Sequence, residues 1–394
     1  MLRPMEPRRR SLPAVADVVV IGGGIIGCAA AAIMADRGAG VVLVEGSAIG
    51  AGASGRNLGA IQHPFDAVLA GLYVESLSRY RALAGATFTD FAIGATPAGL
   101  LLLHDTDEGA AAQARRLRAE FPELQAEMVA AAELPRVEPA LAPGPAAVRT
   151  ATGYPIPPAS ATAAWAALAE ERGAVIAVGR PAKPEIESER VTGIVLDDGT
   201  PITAGAVLVA AGPWSPALVD PSGGWRPIRS TYGVTIQLRI ADGGPHHVVE
   251  EGVESDSVNR VRAAMERSAN ADVEEDPFSL FSIASAGGIS TVGSTFLLEE
   301  PDPARIGSLL LRRAATFLPS VVDSELVGRR VCARPQSVDG RPFIGPVAGA
   351  AGLFVCAGHG PWGISTGPAS AAMAARAVLD GTPPPAELEA TRAV

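Results

Sequence analysis

The chain has 394 residues, of which 48% are hydrophobic and 19% are charged, a composition typical of a globular protein. Its formal net charge of −10 argues against a nucleic-acid partner, because binding to phosphates needs a basic surface. The cysteines Cys28, Cys332 and Cys356 form no CxxC pair, so we expect neither a disulfide framework nor a metal site. We also expect no signal peptide and no membrane-spanning segment, and therefore a cytoplasmic protein.

The first predicted unit lies between residues 17 and 45. An apolar run at 18–21 predicts a buried strand, and it enters the glycine-rich sequence Gly22-Gly-Gly24-Ile-Ile-Gly27. An alanine-rich helix and a second apolar strand at 41–44 follow, and this strand ends at Glu45. Strand, glycine turn, helix, strand and acid in this order predict a dinucleotide site, whereas a glycine turn alone would fit a core turn equally well.

Each glycine of this unit has its own expected role. Gly22 makes the tight turn, Gly24 lets a pyrophosphate approach the helix N-terminus, and Gly27 lets the helix pack on the strand. Glu45 follows where a carboxylate accepts hydrogen bonds from the adenosine ribose.

Further elements alternate along the chain. Amphipathic or apolar patterns predict helices at 67–84, 113–120, 160–172, capped by Ser160, and 363–379. They predict strands at 100–104, 175–178, 191–196, 206–211, 231–240, 278–293 (with a turn at 287–288) and 353–357. The acidic segment 250–276 is interpreted as a solvated loop or, alternatively, as a lid over a substrate entrance.

Seven further motifs carry a resemblance to a known family. They lie at 52–57 (GASGRN), 133–139 (ELPRVEP), 153–155 (GYP), 209–215 (VAAGPWS), 292–295 (VGST), 334–345 (RPQSVDGRPFIG) and 358–363 (GHGPWG). With these motifs in order, nearly the whole chain resembles the FAD-dependent amino acid oxidase family, which includes D-amino acid oxidases and dehydrogenases, glycine oxidase and sarcosine oxidase.

The resemblance implies an α/β fold with two domains. A discontinuous, Rossmann-like FAD-binding domain would comprise 14–85, 152–222 and 328–390. A substrate domain with a mainly antiparallel sheet would comprise 86–151 and 223–327.

The resemblance also implies where FAD binds. It places the ADP half of the cofactor on Gly22, Gly24, Gly27 and Glu45, with the backbone of Ala182 at the adenine and Gly212 near the ADP portion. It places the pyrophosphate and flavin on Ser54, Arg56 and Asn57, and the pyrimidine end of the flavin on Gly360, Trp362, Gly363 and Ile364. A helix N-terminus at that end would stabilise the negative charge of the reduced flavin.

Three residues are the candidates for substrate contact. By resemblance Arg334 is the arginine whose two parallel N–H groups bind the substrate carboxylate, and the alternative is an interdomain salt bridge. Tyr232 is predicted to line the substrate pocket or to belong to a core strand. His63 is predicted to face the flavin, with a structural role as the alternative.

Some residues match only one branch of the family or depart from it. Cys332 has the spacing at which the sarcosine oxidase branch bonds its flavin covalently, but an inert buried cysteine is the other interpretation. Thr291 stands in place of the flavin-facing lysine of that branch, and Pro361 removes one backbone N–H from the turn at 358–363.

The implied reaction is oxidation of the C–N bond of an amino acid or related amine, by hydride transfer to flavin N5 and then imine hydrolysis. Electrons would pass to oxygen or to another acceptor. The alternatives are an FAD-dependent hydroxy-acid or polyol oxidoreductase, and an FAD-carrying subunit of a larger dehydrogenase complex. Both a homo-oligomer and a hetero-complex remain open.

Overall fold

The computed structural model describes residues 12–252 and 279–393, which form two large sheets with helices packed against them. The acidic segment at 250–276 lies, from residue 253 onward, outside the described residues. Its interpretation as a loop or a lid stays a prediction.

The elements follow one another in mixed order along the chain. The strands are β1 Val15–Ile21, β2 Val41–Glu45, β3 Ala60–Ile61, β4 Leu100–His104, β5 Glu127–Val129, β6 Ala146–Thr150, β7 Tyr154–Pro155, β8 Val175–Val178, β9 Ala182–Glu187, β10 Arg190–Leu196, β11 Pro201–Val209, β12 Ile228–Arg239, β13 Val248–Glu251, β14 Ser279–Ala286, β15 Ile289–Thr295, β16 Glu325–Ser337, β17 Phe343–Pro346 and β18 Leu353–Ala357. The α-helices are α1 Ile25–Asp36, α2 Ala53–Arg56, α3 Ala67–Ala84, α4 Asp107–Glu120, α5 Leu134–Val137, α6 Ser160–Glu171, α7 Ser215–Val219, α8 Pro303–Phe317 and α9 Gly363–Asp380.

The first sheet has the strand order β17-β18-β11-β1-β2-β8, and β10 and β9 extend it from β11. Strands β18, β11, β1, β2 and β8 are parallel, and β17 is antiparallel to β18. Residues 18–20 of β1 are buried on both faces, which explains why this strand is a continuous apolar run. The chain reaches this sheet in three separate parts, near its start, its middle and its end.

Helices cover one face of the first sheet. Helix α1 packs against α6 and α9, and α9 also packs against α3. The alanines at 29–31 of α1 have no exposed surface, so their small side chains allow close contact with the neighbouring helices. This packing fixes the start of α1, where the glycine turn lies.

The second sheet has the order β16-β12-β15-β14-β13-β4-β6-β5 and is antiparallel except for the pair β13–β4. Helix α8 packs on it through Leu310 and Ala314, and the facing strand β12 contributes Val234, Ile236 and Leu238 to the same core. The predicted α/β class, with a parallel and a mainly antiparallel sheet, is confirmed.

Several predicted boundaries differ from those of the structure. Ser160 is the first residue of α6 and not its cap, because its hydroxyl donates to the Pro157 carbonyl and Ala159 occupies the cap position. The predicted helix at 113–120 begins at Asp107, where Thr106 accepts a hydrogen bond from the Gly109 amide. The two-domain division stays a prediction, and its boundary at residue 328 falls inside β16, which pairs with β12 of the second sheet.

Candidate functional site

A cleft of about 660 Å³ lies at the carboxyl ends of β1 and β2. In open parallel sheets this edge is the usual place for a nucleotide. The lining comes from the glycine turn at 21–26, the ends of β2 and β11, the segment 51–57 that includes α2, the start of β9, residues 331–335 of β16, and the turn before α9.

The three glycines of the first turn are required for different reasons. Gly22 has φ +117°, and a Cβ there would lie 2.5 Å from the Ala210 carbonyl oxygen of the neighbouring chain segment. A Cβ on Gly27 would lie 1.9 Å from the Gly22 carbonyl oxygen, so any larger residue would push α1 away from the turn. Gly24 lines the cleft itself, and its Cβ would lie 3.1 Å from Ser54 Oγ.

Side chains from outside the turn complete this end of the cleft. Ser54 Oγ accepts a hydrogen bond from the Ile25 amide at the start of α1, at 3.0 Å. Glu45 accepts hydrogen bonds from the Gly23 amide (2.6 Å) and the Ser47 amide (2.7 Å). The cleft thus has a helix N-terminus with backbone N–H groups and a carboxylate at the end of the second strand, as a dinucleotide requires.

The turn before α9 also lines the cleft. Gly360 has φ +52°, and Gly360, Gly363 and Ile364 line the cleft. Pro361 in the same turn offers no backbone N–H. Trp362 is 8% exposed and lines a second cavity, which lies directly beside the cleft.

This second cavity has a volume of about 120 Å³ and shares Asn57, Arg334, Pro361 and Ile364 with the cleft. Its walls are largely aromatic, and its polar groups come from segments far apart in the chain. The aromatic walls include Phe65, Phe281, Phe296 and Trp362, and the polar lining includes Gln62, Glu250, Ser282 and Ser294. A small polar molecule with an apolar part is the ligand that such a lining suits.

Arg334 lies where the two cavities meet. Its Nη1 donates to the Thr295 carbonyl at 2.6 Å, its Nη2 donates to Ser294 Oγ, and its guanidinium lies 4.7 Å from the centre of the Phe296 ring. Burial lowers the pKa of Arg334 from its ordinary value, and the nearby Cys332 opposes this effect. No carboxylate within 12–252 or 279–393 forms an ion pair with Arg334, so the alternative of a salt bridge has no partner there.

Comparison with a family of known proteins agrees with this geometry. The model of the family described as FAD dependent oxidoreductase (DAO) matches residues 17–377. The chain belongs to this family. The cleft fits the cofactor, because Gly24 has no side chain at the N-terminus of α1 and so leaves the open space that a pyrophosphate would need there.

The similar proteins include a D-amino acid dehydrogenase and a glycine oxidase. A D-amino acid dehydrogenase from Rhizobium johnstonii is 30% identical over 217 residues, covering 53% of this chain and 45% of the relative. A glycine oxidase from Pseudomonas aeruginosa is 30% identical over 189 residues, covering 47% of this chain and 44% of the relative. The matched stretch is therefore less than half the length of each relative.

Solved structures show the same fold at lower identity. Glycine oxidase from Geobacillus kaustophilus has a TM-score of 0.80 and 24% identity, covering 97% of this chain and all (100%) of that one. Iminodiacetate oxidase from Chelativorans sp. has a TM-score of 0.77 and 22% identity, covering 94% and 98%. These likenesses show the fold.

Most residues predicted for cofactor binding in this FAD-dependent oxidoreductase line the cleft. They are Gly22, Gly24, Glu45, Ser54, Arg56, Asn57, Ala182, Gly212, Cys332, Gly360, Gly363 and Ile364. Gly27 lies behind the turn, and Trp362 lines the second cavity. Of the substrate candidates, Tyr232 lines the cleft and Arg334 lines both cavities.

His63 is not where we expected it. Its side chain is 1% exposed, lines neither cavity and packs edge-on against the rings of Phe65, Tyr73 and Phe121. Its Nδ1 accepts a hydrogen bond from the Phe65 amide, and burial lowers its pKa. His63 therefore does not line the cofactor cleft, and its contacts agree with the alternative of a structural role.

Two other polar side chains, those of Thr291 and His247, form contacts with neighbouring side chains. Thr291, which stands in place of the lysine of the sarcosine oxidase branch, accepts a hydrogen bond from Arg330 Nη2 at 3.3 Å. His247 Nδ1 contacts Glu138 Oε2 at 2.9 Å.

The part of the chain that the structure describes contains no cluster of three groups that would hold a metal ion. Nor does it contain a helix long and apolar enough to cross a membrane.

The sequence did not single out His359, although it lines the cleft. It is 1% exposed, and neither ring nitrogen has a hydrogen-bond partner among the described residues. Burial lowers its pKa to about 3, so the ring is neutral at ordinary pH. The histidine stands inside the motif Gly358-His-Gly360, and this position could have identified it as a cleft residue, but the motif was interpreted only as a turn.

Proposed function

We propose that this enzyme oxidises the C–N bond of an amino acid or a related amine that carries a carboxylate. The observation that carries the proposal is Arg334, a desolvated cation without a carboxylate partner in the described chain, at the junction of the cofactor cleft and the small cavity. A cation withdrawn from water is costly unless an anion accompanies it, and a substrate carboxylate would be that anion.

Arg334 still has donors for such a carboxylate. Thr295 and Ser294 each accept from one terminal nitrogen, which leaves other N–H groups of the planar guanidinium available. Two parallel N–H groups match the two oxygens of a carboxylate and fix its orientation. Together with the walls of Phe281 and Phe296, this contact would hold the carbon that loses hydride in one position.

The cofactor would be held by the residues named from the sequence. Gly22, Gly24, Gly27, Glu45, Ala182 and Gly212 would hold the ADP part, and the remaining ones would hold the flavin end, namely Ser54, Arg56, Asn57, Gly360, Trp362, Gly363 and Ile364. FAD, when bound, would supply the hydride acceptor at flavin N5. We include Tyr232 as a wall of the cleft and leave out His63, whose ring faces other aromatic residues.

Cys332 has two interpretations that a simple test separates. Its side chain lines the cleft, it is 5% exposed, and its sulfur lies 4.0 Å from the Arg56 carbonyl oxygen. A covalent bond to the flavin would give a yellow pellet after acid precipitation, and the colour would disappear in Cys332→Ser. A colourless pellet with all the flavin in the supernatant would identify an inert cysteine.

The test of the function is anaerobic bleaching of the purified yellow protein. A panel of D- and L-amino acids, glycine, N-methylglycine and iminodiacetate is compared with 2-hydroxy acids and glycerol, and the released ammonia or amine is measured. Reduction by an amine with release of ammonia or amine supports the proposal. Reduction only by hydroxy acids or polyols would replace it with the alternative oxidoreductase.

A further inference from the structure

Gln62 lines the small cavity and is fixed from two sides. It follows β3, its side chain is 7% exposed, and its backbone amide donates to Ser365 Oγ of α9 at 3.0 Å. Its side-chain Nε2 donates to Glu250 Oε1, also at 3.0 Å. The backbone of Gln62 is therefore attached to α9 and its side-chain amide to β13, and the residue lines the same cavity as Arg334.

The contact with Glu250 decides which way the amide points. An ionised carboxylate only accepts hydrogen bonds, so the amide nitrogen must face it. The amide oxygen of Gln62 is then left buried and without a partner among the described residues. A buried acceptor without a donor costs about 1–3 kcal/mol. Because Gln62 lines the cavity, a ligand bound there that brings a hydrogen-bond donor within reach of this oxygen would remove that cost.

We infer that Gln62 Oε1 accepts a hydrogen bond from the substrate amine while Arg334 binds the carboxylate, with Glu250 as the positioning residue of the amide. This inference rests on the proposed function. It restricts the substrate to a compact amino acid, because one cavity of about 120 Å³ must contain the carboxylate and the N–H group together.

An amide is also the appropriate acceptor for the reaction. Hydride leaves the carbon when the nitrogen lone pair is free, so the amine must lose its ammonium proton before oxidation. A carboxylate in direct contact would stabilise the ammonium form and raise its pKa. The neutral oxygen of Gln62 orients the nitrogen without that full charge, while the Glu250 charge is directed at the amide nitrogen.

The experiment measures binding of two probes to the holoenzyme. Neither probe has a carbon that carries both an amine and a hydrogen, so neither can undergo the proposed oxidation. One is 2-aminoisobutyrate, an achiral α-amino acid without an α-hydrogen, and the other is isobutyrate, which lacks the amine. Both carry the carboxylate for Arg334, and only the first carries the donor for Gln62. Dissociation constants are obtained from the change in flavin absorbance for wild type, Gln62→Met, Glu250→Gln and Arg334→Ala.

We expect Gln62→Met to weaken binding of 2-aminoisobutyrate about tenfold and to change binding of isobutyrate by less than about twofold. Glu250→Gln should give a smaller loss of the same selectivity, because the amide of Gln62 is then free to turn over. The matched control is Gln113→Met, since Gln113 is also buried but hydrogen-bonds to His104 outside both cavities, and it should change neither constant.

The results separate the inference from the function on which it rests. If Gln62→Met weakened binding of both probes equally, or of neither, the role of Gln62 would be overturned. The carboxylate contact assigned to Arg334 would not be affected by that result. Unchanged binding of both probes in Arg334→Ala would instead remove the carboxylate contact. If wild type bound neither probe, the contacts assigned to Gln62 and Arg334 would both be wrong, while anaerobic flavin reduction with release of ammonia or amine would still decide the proposed function.

Discussion

The cofactor cleft and the small cavity beside it are built from different parts of the polypeptide. At the first turn of the cleft the decisive atoms are backbone atoms, since glycines at 22, 24 and 27 bring carbonyl and amide groups close together. In the small cavity the decisive atoms belong to side chains of residues 62, 250, 294 and 334. A backbone site is damaged by any added side chain, whereas a side-chain site is damaged by removing or moving one group.

The largest expected effect is at the backbone site. Gly24→Val would place a branched side chain in the cleft, against Ser54 Oγ, where the pyrophosphate must approach. We expect FAD binding to weaken on the order of a thousandfold (about 4 kcal/mol), so that the protein purifies colourless. The ratio of flavin to protein absorbance measures this.

Gly71→Val is the control for this substitution. Gly71 lies inside α3, and a Cβ there meets no atom within 4 Å. This variant should retain its flavin. Full flavin occupancy in Gly24→Val would show that this turn is not the cofactor site.

The second effect concerns the charged group of the side-chain site. Arg334→Ala should reduce kcat/KM for the preferred amino acid by about 2–4 kcal/mol of transition-state binding, with FAD retained. Arg334→Lys should recover only part of the loss, because an ammonium cannot reproduce two parallel N–H groups. Rapid flavin reduction in the alanine variant at wild-type rate and affinity would contradict the role of Arg334.

We expect a smaller fall in kcat/KM when the Arg334 side chain is displaced than when it is removed. A Cβ on Gly233 of β12, which pairs with Cys332 of the adjacent strand β16, would lie 2.2 Å from Arg334 Nη2 and 2.3 Å from its Cζ, so the guanidinium must move. Gly233→Ala should lower kcat/KM about tenfold (about 1.4 kcal/mol). In an Arg334→Ala background the same change should have no further effect, because the displaced group is absent. Additive losses would show that Gly233 acts elsewhere.

The smallest effect is a pH dependence of stability from His359 in the cleft. Its pKa is about 3 in the folded protein, against about 6.5 in the unfolded chain. Between these values the unfolded state binds one more proton, so the free energy of unfolding falls as pH decreases.

Urea unfolding of the apoprotein at two pH values measures this contribution. From about pH 6.5 to about pH 5.5, wild type should lose about 1 kcal/mol more than His359→Asn. His63, whose pKa is also lowered by burial, contributes in the same direction in both proteins. Equal losses would mean that His359 is not a buried neutral ring.

The backbone site could be predicted from sequence because its pattern is local. Strand, glycines, helix and acid follow one another within residues 17–45. A Cβ on Gly27 would meet Gly22 of the same unit, whereas Cβ atoms on Gly22 and Gly24 would meet Ala210 and Ser54 from other parts of the chain. The resemblance to the family extended the prediction to Arg334. The pair of Gln62 and Glu250 in the small cavity could not be predicted, since these residues are separated by 188 positions and meet only in the folded chain.

The misplacement of His63 has a simple geometrical cause. Consecutive side chains in an extended segment point to opposite sides, so Gln62 and His63 cannot both face the cavity. The adjoining strand β3 is only two residues long, too short to show an alternating pattern. Without that pattern nothing local favoured Gln62 over its more reactive neighbour.

Strand β16 has a consequence for how the enzyme tolerates change. It pairs with β12 from Ile228↔Ser337 to Arg239↔Glu325, and near one end of this long ladder it carries Arg334. Inserting or deleting one residue between the ladder's centre and Arg334 would shift the guanidinium by about 3.4 Å and turn it to the opposite face. The register of β16 with β12 therefore fixes where Arg334 lies beside the cavity. We therefore expect point substitutions around the cavity to be tolerated more readily than changes in the length of β16.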